Sequence, residues 1–119
     1  MTEHEIQATF ISLLGYTKIQ DVDLVFAIPN GGQRHPAVAA KLKAEGVKAG
    51  MPDVAWPVAR GGFIGLAIEF KAATGKPTQN QIDKIDALQR AGWFVTLCWS
   101  ADAAVRTVKG YAGMMELKI

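Results

Sequence analysis

The sequence predicts an α/β fold in which helices flank a mixed β-sheet, with the element order αβαββαβα. Three features of the chain lead to this prediction. Short apolar runs alternate with longer segments whose apolar residues recur at helical spacing. Glycine or proline separates most of these segments and indicates turns. Two consecutive apolar runs are joined by a glycine turn, which predicts a β-hairpin among strands that are otherwise connected by helices.

Composition indicates a small water-soluble protein. The chain has 119 residues, and we expect a single domain over residues 1–119 with one hydrophobic core. Its net charge of +2 permits binding to nucleic acid without arguing for it. The lone Cys98 lies in an apolar run, where we expect it to pack in the core, and it excludes an internal disulfide. The N-terminus does not resemble a signal peptide and no apolar run approaches membrane-spanning length, so we expect a cytoplasmic protein of phage or bacterial origin.

The first helix is predicted to follow Thr2, which can cap it, and to run to about Leu14. Gly15 then ends it. The buried face of this helix is predicted to consist of Ile6, Phe10, Leu13 and Leu14.

A strand and a second helix are predicted next. The strand runs from Asp23 to Ile28 and is broken by the loop Pro29-Asn30-Gly31-Gly32. The second helix is predicted from Pro36 to Glu45, and Gly46 ends it.

The middle of the chain predicts a β-hairpin. Residues 53–58 form a short apolar run, Arg60-Gly61-Gly62 is a turn signal, and residues 63–70 form a second apolar run. A turn centred on Gly61 would place Asp53 directly opposite Glu69, because both are equally far from it. The side chains of opposed residues lie about 5 Å apart. A two-residue Gly-Gly turn would instead shift the register by one and separate the two acids.

Alternation within the second strand favours the three-residue turn. One face carries large apolar side chains that should seal a core, namely Ile64, Leu66, Ile68 and Phe70. The opposite face carries Gly65, Ala67, Glu69 and Lys71, so that Lys71 points the same way as Glu69. Because Gly65 and Ala67 are small, we expect a cleft beside the charged groups.

The last three elements are predicted to be a helix over residues 78–92, a strand over residues 93–99 and a helix over residues 100–111. Thr78 and Ser100 are the expected N-caps. The residues expected to face inward from these helices are Ile82, Ile85, Leu88, Val105 and Val108.

Asp53, Glu69 and Lys71 are the candidate catalytic residues. An acid in an otherwise apolar strand, such as Glu69, has a desolvation cost unless it is paired or bound to a metal. In the alternative interpretation, Asp53 merely begins a strand and Glu69 forms a salt bridge with Lys71, although neighbours on one strand pair less well than cross-strand partners. Two opposed carboxylates are costly without a cation, and Lys71 alone does not fully neutralise them. We therefore expect Asp53 and Glu69 to bind Mg²⁺ (or Mn²⁺), hard cations that prefer carboxylate oxygens.

The ordered set of motifs resembles the PD-(D/E)xK nuclease core, and more narrowly the virus-type replication–repair nuclease (VRR-NUC) family. A proline–aspartate pair with a later E-x-K occurs often by chance, whereas the full ordered set is much more specific. The similarity covers nearly the whole chain and includes Glu3, the segments 29–34, 42–53 and 68–71, and Gly75-Lys76-Pro77-Thr78 leading to Gln81. This resemblance implies a restriction-endonuclease-like core and a metal-dependent DNA endonuclease. Small stand-alone members of the family resemble phage proteins that act on branched DNA.

The resemblance also implies roles for individual residues. The backbone carbonyl of Phe70 would add a ligand to the metal held by Asp53 and Glu69. The metal would lower the pKa of a bound water and stabilise charge on the phosphate. Lys71 would orient that water or neutralise the developing charge on the phosphorane.

Two further polar residues have both a structural and a functional interpretation. Thr2 and Glu5 form a capping-box pattern, which accounts for Glu5, whereas Glu3 faces inward and is the expected outer metal ligand or holder of a metal-bound water. Thr78 and Gln81 form the same pattern, so Gln81 is either only a helix cap or also a catalytic residue. Both roles of Gln81 are compatible.

Candidate DNA contacts lie on loops beside the expected cleft. They are Asn30, Arg34, Lys48 and Lys76, with solvated turns and surface lysines as the alternative interpretation. His35 is a weaker candidate. Neither histidine has a second His or Cys at ligand spacing, so a structural zinc site is not expected.

The sequence thus predicts a Mg²⁺- or Mn²⁺-dependent endonuclease for branched DNA, such as a four-way junction or a flap. One protomer of 119 residues offers little surface for selecting such a substrate, so we expect a homodimer. A catalytically inactive DNA-binding module with the nuclease fold is the alternative. A structural or interaction domain whose hairpin acids are mere surface groups is a third possibility.

Overall fold

A four-stranded mixed sheet forms the centre of the part of the chain that the computed structural model describes, residues 1–29 and 35–116. The strands lie in the spatial order β1-β2-β3-β4. Their bounds are β1 Phe26–Ala27, β2 Val54–Trp56, β3 Gly65–Phe70 and β4 Trp93–Cys98. The first three strands pair antiparallel, whereas β4 runs parallel to β3 after a helical crossover. The predicted mixed sheet flanked by helices is confirmed.

Four α-helices accompany this sheet within the described residues. Their bounds are α1 Glu3–Leu14, α2 Pro36–Ala44, α3 Gln79–Arg90 and α4 Ala101–Ala112. The expected caps form, because the side chains of Thr2, Thr78 and Ser100 each accept a backbone N–H from the first turn that follows. None of these helices is long and apolar enough to cross a membrane.

Helices α1 and α4 cover one face of the sheet and enclose the core. The rings of Phe10 and Phe70 meet with centroids 5.3 Å apart. Tyr111 is buried and donates its hydroxyl to the Val58 carbonyl at 2.6 Å. Cys98 is buried beneath α4, as expected. The largest core side chains are Phe10, Trp56, Leu66, Ile68, Phe70 and Tyr111.

The face of β3 that points away from α1 and α4 carries the small residues Gly65 and Ala67. The Trp93 ring lies directly over Gly65, where a Cβ would come within 2.4 Å of a ring carbon. Helix α3 packs mainly on β4 on this side, and none of its residues is fully buried. The prediction that Ile82 faces inward is wrong, since its side chain is 44% exposed.

Three other predictions need correction. Leu13 is exposed because it lies at the edge of the α1 stripe that Ile6, Phe10 and Leu14 bury. Ile64 is 55% exposed because it lies before β3 begins, next to the turn of the hairpin. The strand predicted over residues 23–28 shrinks to β1, because residues 22–24 form a 3₁₀ turn that begins at a left-handed Asp21.

The strand register of the hairpin is as predicted. The cross-strand pairs are Val54–Ile68, Ala55–Ala67 and Trp56–Leu66. Asp53 directly precedes the first of these pairs, and its N–H donates to the Ile68 carbonyl at 3.0 Å. The register therefore brings Asp53 to the end of β3 that carries Glu69.

The tip of the hairpin, however, is not the predicted three-residue turn. Arg60 and Phe63 exchange two backbone hydrogen bonds around Gly61 and Gly62, which have φ values of 57° and 87°. Between the Trp56–Leu66 pair and the Arg60–Phe63 pair, the first arm has three residues and the second has two. A tight turn at Pro57, closed by a hydrogen bond from the Val58 N–H to the Trp56 carbonyl, accommodates the extra residue.

Substitution of Gly65 tests the packing of Trp93 on β3. Gly65→Ala is expected to lower the free energy of unfolding by about 1–3 kcal/mol, because the new methyl group overlaps the Trp93 ring. Gly110→Ala is the matched control, since a Cβ there meets nothing within 4 Å and Gly110 lies inside α4. The control is expected to raise stability by about 0.5–1 kcal/mol. Urea denaturation measures both, and equal stabilities for Gly65→Ala and wild type would contradict the packing.

Candidate active site

Asp53 is fixed at the start of β2 by backbone pairing on both sides. Its N–H donates to the Ile68 carbonyl at 3.0 Å, and its own carbonyl accepts from the Ile28 N–H at 2.8 Å. Its side chain reaches across to β3, where Oδ2 accepts the Phe70 N–H at 2.7 Å. The carboxylate is therefore held beside the strand that carries Glu69.

Glu69 and Lys71 are the two charged residues buried within the described part of the chain, with 2% and 5% exposure. They lie on one face of the end of β3, and Lys71 Nζ is 3.4 Å from Glu69 Oε2. The same-strand ion pair that the sequence disfavoured is thus present. It does not account for the whole arrangement, since it engages one of the two Glu69 oxygens.

Gln81 caps α3, as one of its two interpretations predicted, and its side chain also contacts both charged groups of β3. Its Nε2 donates to Glu69 Oε2 at 2.9 Å, and its Oε1 accepts from Lys71 Nζ at 2.8 Å. The same Oε1 accepts the Thr78 N–H at 2.9 Å and completes a capping box at the start of α3. The side-chain amide of Gln81 therefore caps the N-terminus of α3 and also connects Glu69 with Lys71.

Asp53, Glu69 and Gln81 line a cleft of about 300 Å³, and Lys71 is bonded to it through Glu69 and Gln81. Its lining residues are Glu3, Ala49, Gly50, Asp53, Glu69, Thr78, Asn80 and Gln81. Glu3 is exposed at the rim, whereas Glu5 is engaged in the capping box with Thr2. A hydrogen bond from the Thr2 backbone accordingly lowers the pKa of Glu5. The predicted capping role of Glu5 is confirmed, and Glu3 is the acid of α1 that lines the cleft.

The described residues only partly compensate the burial of the Glu69 carboxyl group. Its Oε1 is buried and has no hydrogen-bond partner among them. Burial, and then the negative charge of Asp53, raise the pKa of Glu69 from 4.5 to about 7, against the opposing effect of Lys71. A buried oxygen without a partner, beside a second carboxylate, is the environment that a cation would stabilise.

Comparison with known proteins assigns the chain to a family. The sequence model of the VRR-NUC domain matches residues 11–102, which is most of the chain. The chain belongs to the VRR-NUC family. A solved structure of a "VRR_NUC domain protein" is similar to it with a TM-score of 0.85 and 27% sequence identity, over 99% of this chain and 93% of that chain. No curated protein matches the chain significantly.

VRR-NUC membership has two direct consequences. The restriction-endonuclease-like fold expected from the sequence agrees with the structural similarity. The family also implies a nuclease-type function that involves DNA. Glu3 precedes the matched region, so its role depends on the geometry of the cleft alone.

The acids of this VRR-NUC domain fit a divalent cation in chemistry, although they do not form a complete ligand cage. Among residues 1–29 and 35–116, no three His, Cys, Asp or Glu side chains converge as a ready-made metal cluster. Asp53 and Glu69 instead line the same cleft, and one Glu69 oxygen lacks a partner among the described residues. Mg²⁺ is commonly held by one or two carboxylates and keeps several waters, so this donor set suits it.

The predicted DNA contacts are either absent from the lining of the cleft or outside the described residues. Lys48 and Lys76 are exposed and do not line the cleft. His35 has a structural role, since its Nδ1 accepts the Ala37 N–H at the start of α2. The predictions for Asn30 and Arg34 fall outside the described residues.

Sequence reasoning missed Gly50 and Asn80 as members of the cleft wall. Gly50 was visible in the motif that ends at Asp53, and Asn80 immediately precedes Gln81. Glycine and asparagine are common in turns and helix starts, so neither residue type indicated a functional site. Their contact joins segments 30 residues apart, which the sequence pattern does not reveal.

Removal of the Glu69 charge tests the electrostatic description of the site. In metal-free protein, the folded state keeps the Glu69 proton while the unfolded chain releases it, because the pKa rises from 4.5 to about 7. Stability should therefore fall as pH increases from 4.5 to about 7 and then level off. This group contributes on the order of 3 kcal/mol to that fall, at about 1.4 kcal/mol for each pKa unit.

Glu69→Gln is expected to remove most of this decline. Unfolding free energies from urea titrations in EDTA, measured at several pH values for both proteins, give the comparison. Parallel pH profiles for Glu69→Gln and wild type across this window would contradict the raised pKa.

Proposed function

We propose that this VRR-NUC domain is a Mg²⁺- or Mn²⁺-dependent endodeoxyribonuclease that hydrolyses phosphodiester bonds. The observation that carries the proposal is the buried Glu69 oxygen, which has no hydrogen-bond partner among the described residues and lies in a cleft with Asp53. Keeping two acids together without a cation costs stability, so a protein that retains them benefits from binding one.

Asp53 and Glu69 would hold the metal ion, with the Phe70 carbonyl as a further ligand and Glu3 at the outer rim. When bound, the ion would supply an activated water and stabilise negative charge on the phosphate. Asp53 is suited to this role because the Phe70 N–H orients its carboxylate. The Glu69 carboxylate is similarly held by the Gln81 amide.

Lys71 would act on the reacting phosphate or on the attacking water. Its ammonium group is buried, so its charge is less screened by solvent than that of a surface lysine. Gln81 Oε1 accepts one of its three N–H groups, and Glu69 lies within ion-pair distance. Gln81 therefore positions Lys71 as well as Glu69, which makes it part of the proposed catalytic group.

DNA would approach the open side of the cleft, where polar residues of α1 and α3 line the wall. Lys48 and Lys76, together with Asn30 and Arg34, would contact the flanking phosphates. We propose branched DNA as the substrate and a homodimer as the active form, since two sites related by a two-fold axis can cut paired strands of a four-way junction.

The nuclease proposal is tested by nicking assays on a four-way junction, a flap and a linear duplex in Mg²⁺. Asp53→Asn and Lys71→Ala are each expected to reduce the cleavage rate by on the order of 10²–10³-fold, because each removes a charge at the reacting phosphate. Asp102→Asn and Lys109→Ala, both on the exposed face of α4, are the matched controls and should cleave as wild type does. Paired cuts on the junction would support the dimer.

Other results of the same assay would reject parts of the proposal. Activity unaffected by Asp53→Asn and Lys71→Ala would exclude this site. DNA binding by the wild type without cleavage in Mg²⁺ or Mn²⁺ would support the inactive DNA-binding module instead.

Metal binding is tested separately by thermal unfolding with increasing Mn²⁺. A ligand that binds only the folded state at a hundred times its Kd stabilises by about 2.7 kcal/mol. Wild type should therefore show a rising Tm that Asp53→Asn and Glu69→Gln largely lose, while Asp102→Asn retains it. A Tm that does not change with Mn²⁺ in the wild type would contradict a specific metal site.

A further inference from the structure

Gly50 lies at the point where the chain enters the cleft on its way to Asp53. It lines the cleft wall and has a φ of 84°, in the left-handed region that favours glycine. Only Met51 and Pro52 separate it from Asp53. The position of Gly50 therefore directly affects where the Asp53 carboxylate sits.

Gly50 also touches the first turn of α3. A Cβ at Gly50 would lie 2.9 Å from Asn80 Cγ, 2.9 Å from the Asn80 carbonyl oxygen and 3.0 Å from the Asn80 carbonyl carbon. Two of these three atoms belong to the helix backbone and cannot rotate away. The two segments can approach this closely only because residue 50 has no side chain.

This contact matters because, among the described residues, α3 is not anchored by a buried side chain. The helix packs mainly on β4. Near its first turn, Gln81 bonds Glu69 and Lys71 on one side, and Asn80 meets Gly50 on the other. Asp53 is in turn joined to β3 through the Phe70 N–H. The contacts thus form a closed ring around the cleft.

We infer that Gly50 is a positioning residue whose backbone contact with Asn80 sets the separation between Asp53 and Gln81. This inference rests on the proposed function, because it concerns the geometry of the same cleft. A shift of α3 away from β2 would move Gln81 relative to Glu69 and Lys71 while leaving the core beneath α1 and α4 unchanged.

The test compares Gly50→Ala with Gly46→Ala. Both glycines have positive φ, 84° and 101°, so both substitutions introduce similar backbone strain. A Cβ at Gly46, however, meets nothing within 4 Å, whereas a Cβ at Gly50 meets Asn80. The difference between the two variants therefore isolates the contact from the cost of the left-handed conformation.

Gly50→Ala is expected to lower kcat on branched DNA by about 10- to 10²-fold, as a small displacement of catalytic groups does. Its Kd for the same DNA in Ca²⁺ should stay within about two-fold of wild type, since the displaced groups act on the reacting phosphate. Gly46→Ala should match wild type in both quantities. Assays run well below each variant's Tm exclude a loss that comes from unfolding.

A measurement on metal-free protein keeps this test independent of nuclease activity. In ¹H–¹⁵N spectra, the side-chain amide of Gln81 should shift in Gly50→Ala and not in Gly46→Ala, because its bonds to Glu69 and Lys71 would change. Equal kcat values and an unshifted Gln81 amide in Gly50→Ala would overturn the inference. If wild type were inactive or insensitive to Asp53→Asn, the proposed function would fail while the Gln81 signal still decided the role of Gly50.

Discussion

Burial of the Glu69 carboxyl group beside Asp53 is the constraint on which the arrangement of the cleft depends. An isolated buried carboxylate is unfavourable, and a second one nearby makes it more so. Lys71 and Gln81 offset part of this cost through one Glu69 oxygen, and the other has no such contact among the described residues. The folded protein therefore concentrates unfavourable electrostatics at one place, which is typical of functional sites.

The elements around the cleft contribute to it in different ways. The β2–β3 hairpin supplies the two acids, while the apolar stripes of α1 and α4 cover the opposite face of the sheet and leave the cleft beside the acids open. Helix α3 supplies Gln81 from its first turn, where capping needs already demand a polar side chain. Gln81 thus both caps α3 and bonds the charged residues of β3, and these bonds fix the position of α3 although none of its residues is fully buried.

Much of the fold and of the cleft could be predicted from the sequence, because the patterns that indicate them lie within single strands and helices. Alternation along β3 assigned its two faces, and capping boxes located the starts of α1 and α3. The predictions that were wrong depended either on packing between elements or on a local backbone conformation that the residue pattern does not reveal. The exposure of Ile82 depends on the edge position of β4, and the shortness of β1 depends on a left-handed Asp21. The contact of Gly50 with Asn80 could not be foreseen, because glycine carries no periodic signal.

The pairing at the tip of the hairpin is shifted by one residue relative to the pairing of β2 and β3, and this affects where residues can be inserted into the chain. The register of β2 and β3 is set within the strands, and the irregular segment at Pro57 uncouples it from the Gly61–Gly62 turn. Residues inserted at or beyond that segment can be taken up as loop without sliding one acid past the other. A single insertion between Asp53 and Trp56 would turn Asp53 to the opposite face of the sheet. Variation in loop length is therefore tolerated at the tip and excluded along the strands, so lineages can remodel the tip while the paired acids stay aligned.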